Sequence, residues 1–518
     1  MATPMHDLLG IDQYTELFWE AYRNMELYES GLSATDAAAA ASSNLVSALG
    51  YNPYGITEPV DNQGNLSEVA AWDTDWKGAI LNNSAYKKQH GLSISGGTDK
   101  TTFYLGSNYL KEQGQVKSTY FERFATRLNV NTEVNDYISS GLNFSYTSSK
   151  QNAPNQSGTS FSNSIQWIYV IPSYYPLYKR GSDGTLLKDS NGFPEFDYGN
   201  NTTQIVNGVR PALSNENGLG VLTNNEISNS RTYISMNGYL EFKLLPELNF
   251  KTSVLYEKAS LDNFQYTHNK YGAASSVQGR VSQDRNFFTT LNMIQTLNYK
   301  KTFGAHSINA DGIFESYRFE QNLIQAQGTG YLPNVKVLNG STVPESVGGA
   351  INEERLLSAI TRVSYNYDNT YFAEASFRRD GSTKFSADTR WGNFFSVGGS
   401  WIISNETFLE DIEWVDYLKF KFSYGELGNN RSIGFFPYLH VSPTFLFHLA
   451  TVPSSIVSLS LGILITSTPS GIKVFSSLVS DKAAGVSEFF GAGEPEDSPV
   501  AVPAVSAPTI ISLMSSPL

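Results

Sequence analysis

The stretch RFATRLNVNTEVNDYISSGLNFSYT, residues 123–147, decides the fold. Phe124, Thr126, Leu128, Val130, Thr132 and Val134 alternate with Ala125, Arg127, Asn129, Asn131 and Glu133. After Asn135-Asp136 the alternation resumes, with Ile138, Ser140, Leu142, Phe144 and Tyr146 set against Ser139, Gly141, Asn143 and Ser145. Successive side chains of a strand point to opposite faces, so a period of two over about ten residues, broken by a tight turn, predicts an antiparallel hairpin. One face, with Phe124, Leu128, Val130, Leu142 and Phe144, is apolar; the other, with Arg127, Asn129, Asn131 and Asn143, is polar. The division recurs with Ile234, Met236, Leu240 and Phe242 against Ser235, Asn237, Glu241 and Lys243. Alternation alone does not say what meets the apolar face, because a second protein layer and a bilayer leave the same pattern.

The connections discriminate. About twelve strand candidates lie near 84–95, 101–110, 121–134, 137–148, 231–243, 248–258, 286–300, 307–319, 354–367, 371–379, 391–402 and 418–424. GGTDK (96–100), Asn135-Asp136, LLPE (244–247), TFGAH (302–306) and YDNT (367–370) join some of them tightly, and 111–120, 149–230, 259–285 and 320–353 join the others loosely. Short and long connections alternate, as in outer-membrane barrels with short periplasmic turns and long external loops. Strands of about ten residues and tyrosines near their ends (Tyr137, Tyr146, Tyr299, Tyr371) agree. The expected fold is all-β: an antiparallel transmembrane β-barrel, partial at about twelve strands, with a short N-terminal helical segment. The competing reading is a secreted or surface β-sandwich that binds carbohydrate through its loops.

Composition fits the barrel. Aromatic residues make up 13% of the 518 residues, including 30 Tyr and 31 Phe, while charged residues are only 16%, against roughly 25% in soluble domains. The net charge of -13 argues against a nucleic-acid partner, which selects a basic surface. No cysteine is present, in keeping with an envelope protein without disulfides. The start, MATPMHDLLGIDQY, shows no basic region followed by an apolar one, so no signal peptide is visible. The apolar run SIVSLSLGILIT (455–466) is too short for a spanning helix. Before the strands, residues 11–49 have helical periodicity, with Tyr14, Leu17, Phe18, Ala21, Tyr22 and Met25 on one stripe and an Ala-rich segment from Thr35-Asp36 to Gly50.

Three stretches carry a family resemblance. WDTDWKGAILNNSAYKKQHGLSISGGTDKTTFYLGSNYLKEQG (72–114), RRDGSTKFSADTRWGNFFSVGGSWIISNETF (378–408) and LKFKFSYGELGNN (418–430) resemble, in order and spacing, the SusC/RagA-type TonB-dependent outer-membrane transporters. The resemblance implies a barrel of roughly 22 strands, uptake of oligosaccharides or peptides, a plug domain, coupling to TonB, and a SusD-like surface lipoprotein as partner, with outer-membrane lipid around the barrel. It implies no cofactor and no enzyme. Period and composition divide the chain into a helical and irregular lead-in (1–83), a partial barrel expected to carry long external loops (84–438) and a tail (439–518). The plug and TonB box are expected to precede this chain, so that it would not transport as written. From Leu439 to Leu518 there is no Asn, Gln, Arg, Tyr or Trp, and this segment is expected to be out of frame or disordered.

No catalytic or metal constellation stands out. The six histidines lack ligand spacing, and DSNGFPEFD (189–197) reads as a turn rather than a calcium loop. The candidate ligand contacts are Trp167, Tyr169, Tyr174, Tyr175 and Tyr178 in QWIYVIPSYYPLYKRGSDG (166–184), because aromatic planes offer rigid area to sugars or peptides at little entropic cost; the alternative for each is packing inside the loop. In the 378–408 signature, Arg379, Asp380, Gly381, Arg390, Trp391 and Gly392 are expected to be structural: charged loop residues bridge strands, and the glycines accommodate bends.

Overall fold

A computed structural model describes residues 8–154, 163–181, 183–199, 210, 213–333, 335–410, 412, 414–430 and 433–435, together with the strand backbones 454–466 and 474–482. The alternating segments form one sheet whose strands follow chain order without a crossover. They are β1 (Lys87–Gly97), β2 (Thr101–Gln113), β3 (Tyr120–Asn135), β4 (Ile138–Asn152), β5 (Glu226–Leu245), β6 (Leu248–Thr267) and β7 (Arg280–Phe303). The sheet continues with β8 (His306–Thr329), β9 (Val343–Tyr367), β10 (Tyr371–Ser382), β11 (Trp391–Ile402) and β12 (Tyr417–Asn429). Every neighbouring pair is antiparallel; in the opening hairpin Leu128 faces Phe144 and Asn129 faces Asn143. All twelve expected strands are present. Two more, β13 (Ser454–Thr466) and β14 (Val474–Lys482), extend the sheet within the segment expected to be a disordered tail. The Ile-, Val- and Leu-rich sequence there has the propensity to pair on the free edge of β12. The rest of 439–518 lies outside the described residues.

The sheet is a single layer. The apolar row that runs through Phe124, Met236 and Leu240 stays 43–44% exposed, and no second sheet covers it among the described residues. That removes the β-sandwich, which requires a facing layer. Among the described residues the sheet is not closed either: β1 pairs on one side only. The strands in the middle are longer than expected, at 24 residues for β7 and β8 and 25 for β9. Their outward rows stay apolar for about half their length, then turn to ion pairs towards the long-loop end, with Arg285 on Asp262 and Arg318 between Glu320 and Glu353. The polar face carries its own pairs, such as Arg362 on Glu374 and Arg378 on Asp380.

At one end the turns are tight. Asn135 Oδ1 accepts from the amides of Tyr137 and Ile138, and Asp368 and Asn369 adopt φ of 51° and 50°, the twist hairpins favour. One connection at this end is longer: residues 403–416 make two 3-10 turns, anchored by Glu406, which accepts from Tyr371 Oη (2.6 Å) and Trp401 Nε1 (2.9 Å).

At the other end lies the lead-in. Helices α1 (Ile11–Tyr28), α2 (Ala34–Leu49) and α3 (Trp76–Ile80) precede the sheet. α2 begins at Ala34, just ahead of the expected Thr35-Asp36 start, because Ser33 is the cap: its Oγ accepts from the Asp36 amide. The helix ends on Gly50 at φ 76°, as expected. The buried side of α1 is Ile11, Thr15 and Trp19, with Leu17 and Met25 of the expected stripe left exposed. Trp19 Nε1 donates to Ser42 Oγ of α2 at 3.0 Å, which turns the helix towards that side.

Candidate functional site

The connection between β4 and β5 returns to the lead-in and packs on it. Its short helices are α4 (Ser164–Tyr169) and α5 (Gly218–Asn224). Leu45, Leu49, Tyr51, Trp72, Trp76 and Ile80 from the lead-in share one core with Trp167, Ile168, Tyr174, Tyr175 and Leu222 from the loop. Burying side chains of this size contributes about 1.5–3 kcal/mol each, so two segments far apart in sequence form one cap at the long-loop end. Trp72 Nε1 donates to the Tyr174 carbonyl and the Thr74 amide to that of Ser173, both at 3.0 Å. Lys117, on the β2–β3 connection, holds the cap to the sheet through the carbonyls of Gly78 (3.0 Å) and Ala79 (2.7 Å).

This geometry sorts the five candidate aromatics. Trp167 is fully buried, with its ring 4.8 Å from that of Trp76. Tyr174 and Tyr175 pack on each other and on Tyr14 and Tyr51 respectively. These three have no accessible plane to offer, which corrects the sequence expectation: an aromatic cluster reads alike whether it meets ligand or protein. Tyr169, at the end of α4, is 53% exposed. Tyr178 is half-buried and stacks on Phe196 at 5.2 Å. Asp189 is a turn residue: its Oδ1 accepts from the amides of Asn191 and Phe193, and no cluster of metal-ligating side chains occurs among the described residues.

Sequence reading missed a buried polar centre under the cap. Asp197 and Asn217 are both fully buried. Asp197 accepts from Tyr51 Oη at 3.1 Å and from the Gly199 amide at 2.6 Å, and Asn217 Nδ2 donates to the carbonyls of Leu177 and Asp197. Arg210 lies over the rings of Trp167 and Tyr175 and donates to the carbonyl of Glu216. Single buried polar residues in a loop have no periodicity to announce them.

Burial pushes the Asp197 carboxyl above its ordinary range, with Arg210 opposing, and does the same to Glu216. Burial and the Asp197 charge push the Tyr51 hydroxyl up as well. A carboxyl with a raised folded pKa holds its proton more tightly folded than unfolded. Stability therefore falls as pH rises from the unfolded value through the folded one, and stays lost above it. The cap is expected to melt at a higher temperature in mildly acidic than in neutral buffer, and Asp197→Asn to flatten that dependence. Near-UV circular dichroism melts across this range check it; melting independent of pH in the unsubstituted chain contradicts it.

Arg379, Trp391 and Gly392 lie in the strands expected to hold them; Asp380 and Gly381, expected in the connection, extend β10 instead, and Arg390 precedes β11. Asp380 faces inward on Arg378, whereas Arg379 faces outward over the Trp391 ring at 5.2 Å. Gly381 sits opposite Trp391, and a Cβ there would come within 2.7 Å of the indole. Gly392 leaves room in the same way for Phe394.

No family model matches the chain. Curated relatives do: a TonB-dependent receptor of Formosa agariphila is 28% identical over 381 residues, 70% of this chain and 32% of that relative. The TonB-dependent receptor SusC of Bacteroides thetaiotaomicron is 24% identical over 388 residues, 72% of this chain and 36% of that relative. The chain thus spans about a third of the length of the curated relatives it matches. Among solved structures, the RagAB peptide transporter has a TM-score of 0.60 at 18% identity, covering 88% of this chain and 50% of that one, a likeness of fold. These matches make the chain similar, across about 70% of its length, to TonB-dependent receptors that include SusC, and the single-layer sheet with its alternating connections agrees with the RagAB likeness of fold.

Proposed function

We propose that this chain is barrel and loop sequence of an outer-membrane nutrient importer that takes up oligosaccharides or peptides. The uncovered apolar face of a one-layer sheet carries the reading, since water would not tolerate so long an apolar row. In this reading the lipid of the outer membrane meets Phe124, Met236 and Leu297, and the lumen is lined by Asn129, Asn143 and the Arg362–Glu374 pair. Ligand enters at the long-loop end, under a SusD-like lipoprotein, and TonB supplies the energy through a plug. Tyr169, whose ring is exposed, and Tyr178, half-buried with one face on Phe196, are the aromatics retained as ligand contacts. The relatives are receptors and transporters by name, which favours a carrier over an enzyme.

The membrane reading is tested by arginine on either face of the sheet, with the chain folded in detergent micelles. Leu297→Arg, on the outward row, is expected to destabilise by about 2–4 kcal/mol, the cost of a charge on the lipid face of a barrel. Ser145→Arg, on the polar face, is expected to stay within about 0.5 kcal/mol. Urea titrations give both numbers, and equal effects would refute the assignment of faces.

A further inference from the structure

A small cavity of about 90 Å³ lies where the long-loop ends of β5 and β6 meet α5. Ile227 and Gln265 face each other there and, by strand parity, share the polar face with Ser235 and Glu257. Buried Val221 and Glu216 line the closed side of the cavity, and exposed Gln265 and Ala273 its open side. Glu216 is 8% exposed, and its Oε2 has no hydrogen-bond partner among the described residues. A buried carboxyl oxygen left in this state, beside a cavity, marks a place for a donor.

Charge and size select the occupant. Asp197 and Glu216 are both buried, and one buried guanidinium, that of Arg210, acts on both. Lys179, which also acts on Asp197, is already paired with Glu195 at 3.1 Å. Ionised, the two carboxyls outnumber the buried cation by one, and a buried charge without a partner is costly. An added cation removes that cost, whereas an anion raises it. A cavity of roughly 150 Å³ takes a benzene ring, so this one is too small for a sugar ring. Calcium takes roughly six to eight oxygens, which one carboxylate among Val221, Ile227 and Ala273 does not supply. An ammonium on an unbranched methylene stem meets both conditions, with the charge on Glu216 and the stem along Val221 and Ile227. Lysine has that shape, while the α-ammonium of a peptide sits on a branched carbon.

We propose that this cavity binds the side-chain ammonium of a lysine in a peptide ligand. The site rests on the importer reading above and narrows its ligand to lysine-bearing peptides. Isothermal titration calorimetry of the full chain in detergent micelles tests it, with a terminally blocked alanine-lysine-alanine tripeptide as the probe. The unsubstituted chain is expected to bind this peptide about tenfold more tightly than the norleucine analogue, which keeps the stem and lacks the charge. Glu216→Gln, which keeps the size of the side chain, is expected to erase that preference with its near-UV circular dichroism unchanged. Ala273→Phe, at the exposed mouth, is expected to weaken lysine-peptide binding by closing the cavity while leaving the carboxyl in place. Equal binding of the two peptides by the unsubstituted chain overturns the proposal, as does a preference that survives Glu216→Gln. So does tighter binding of glucosamine, or of an alanine tripeptide whose only amine is its free N-terminus. If the importer reading alone fails, the lysine preference persists while Leu297→Arg and Ser145→Arg destabilise equally; if the site alone fails, the preference is absent and those two variants still differ.

Discussion

Offered by itself to phospholipid vesicles, a polypeptide of these 518 residues is expected to remain outside the hydrocarbon. All 11 residues of β1 are exposed, and its far edge has no partner among the described residues. About half of a strand's amides and carbonyls point away from its one partner, and each group left unpaired in hydrocarbon costs several kcal/mol. Along β1 that penalty falls on any inserted form that leaves this edge open, because the hydrocarbon holds no water to satisfy the groups. Detergent micelles are less demanding, because water and headgroups reach the sheet's margins. The checks are heat-modifiable migration and protease protection after mixing with preformed vesicles. A protected, heat-modifiable monomer would show that the edges find partners and that the described sheet is not the membrane form.

The parts of this fold that can be read in advance are those in which neighbours in sequence are neighbours in space. The hairpin at 123–147 is legible because one face repeats every second residue and Asn135 supplies the turn. The identity of the layer over that face is legible only indirectly, from the order of short and long connections. What stays hidden depends on distant partners. Trp76 and Trp167 come together across a whole series of strands, so no local pattern distinguishes their packing from a ligand platform. Arg379 is similar: read along the chain it belongs with Arg378 and Asp380, whereas strand parity sends it to the opposite face. The full lengths of β7–β9 escape a periodicity reading because their outward rows stop being apolar before the strands end, and ion pairs across the register carry the ladder onward. The expected tail, likewise, rests on composition, which does not register an open edge waiting at β12.

Trp167 decides between the two readings of the loop aromatics, and replacing it with alanine is expected to cost about 3–5 kcal/mol, the range for a buried tryptophan. Three contacts would be lost at once. The indole packs on Trp76 from the lead-in. It forms one of the two planes against Arg210. It also fills the space left by Gly218, where a Cβ would come within 2.5 Å of the ring. Because the first ties the β4–β5 loop to the lead-in and the other two hold the loop itself together, the damage should be confined to the cap. Near-UV circular dichroism should collapse and trypsin should gain access at Lys179 and Arg180, while the far-UV strand signal persists. Tyr169→Ala, at an exposed site on the same short helix, should change stability by no more than about 0.5 kcal/mol. If Trp167→Ala instead left the cap folded and removed binding of a sugar or peptide, the indole would have to be reachable by ligand, and the shared core between lead-in and loop could not be the state in which the protein works.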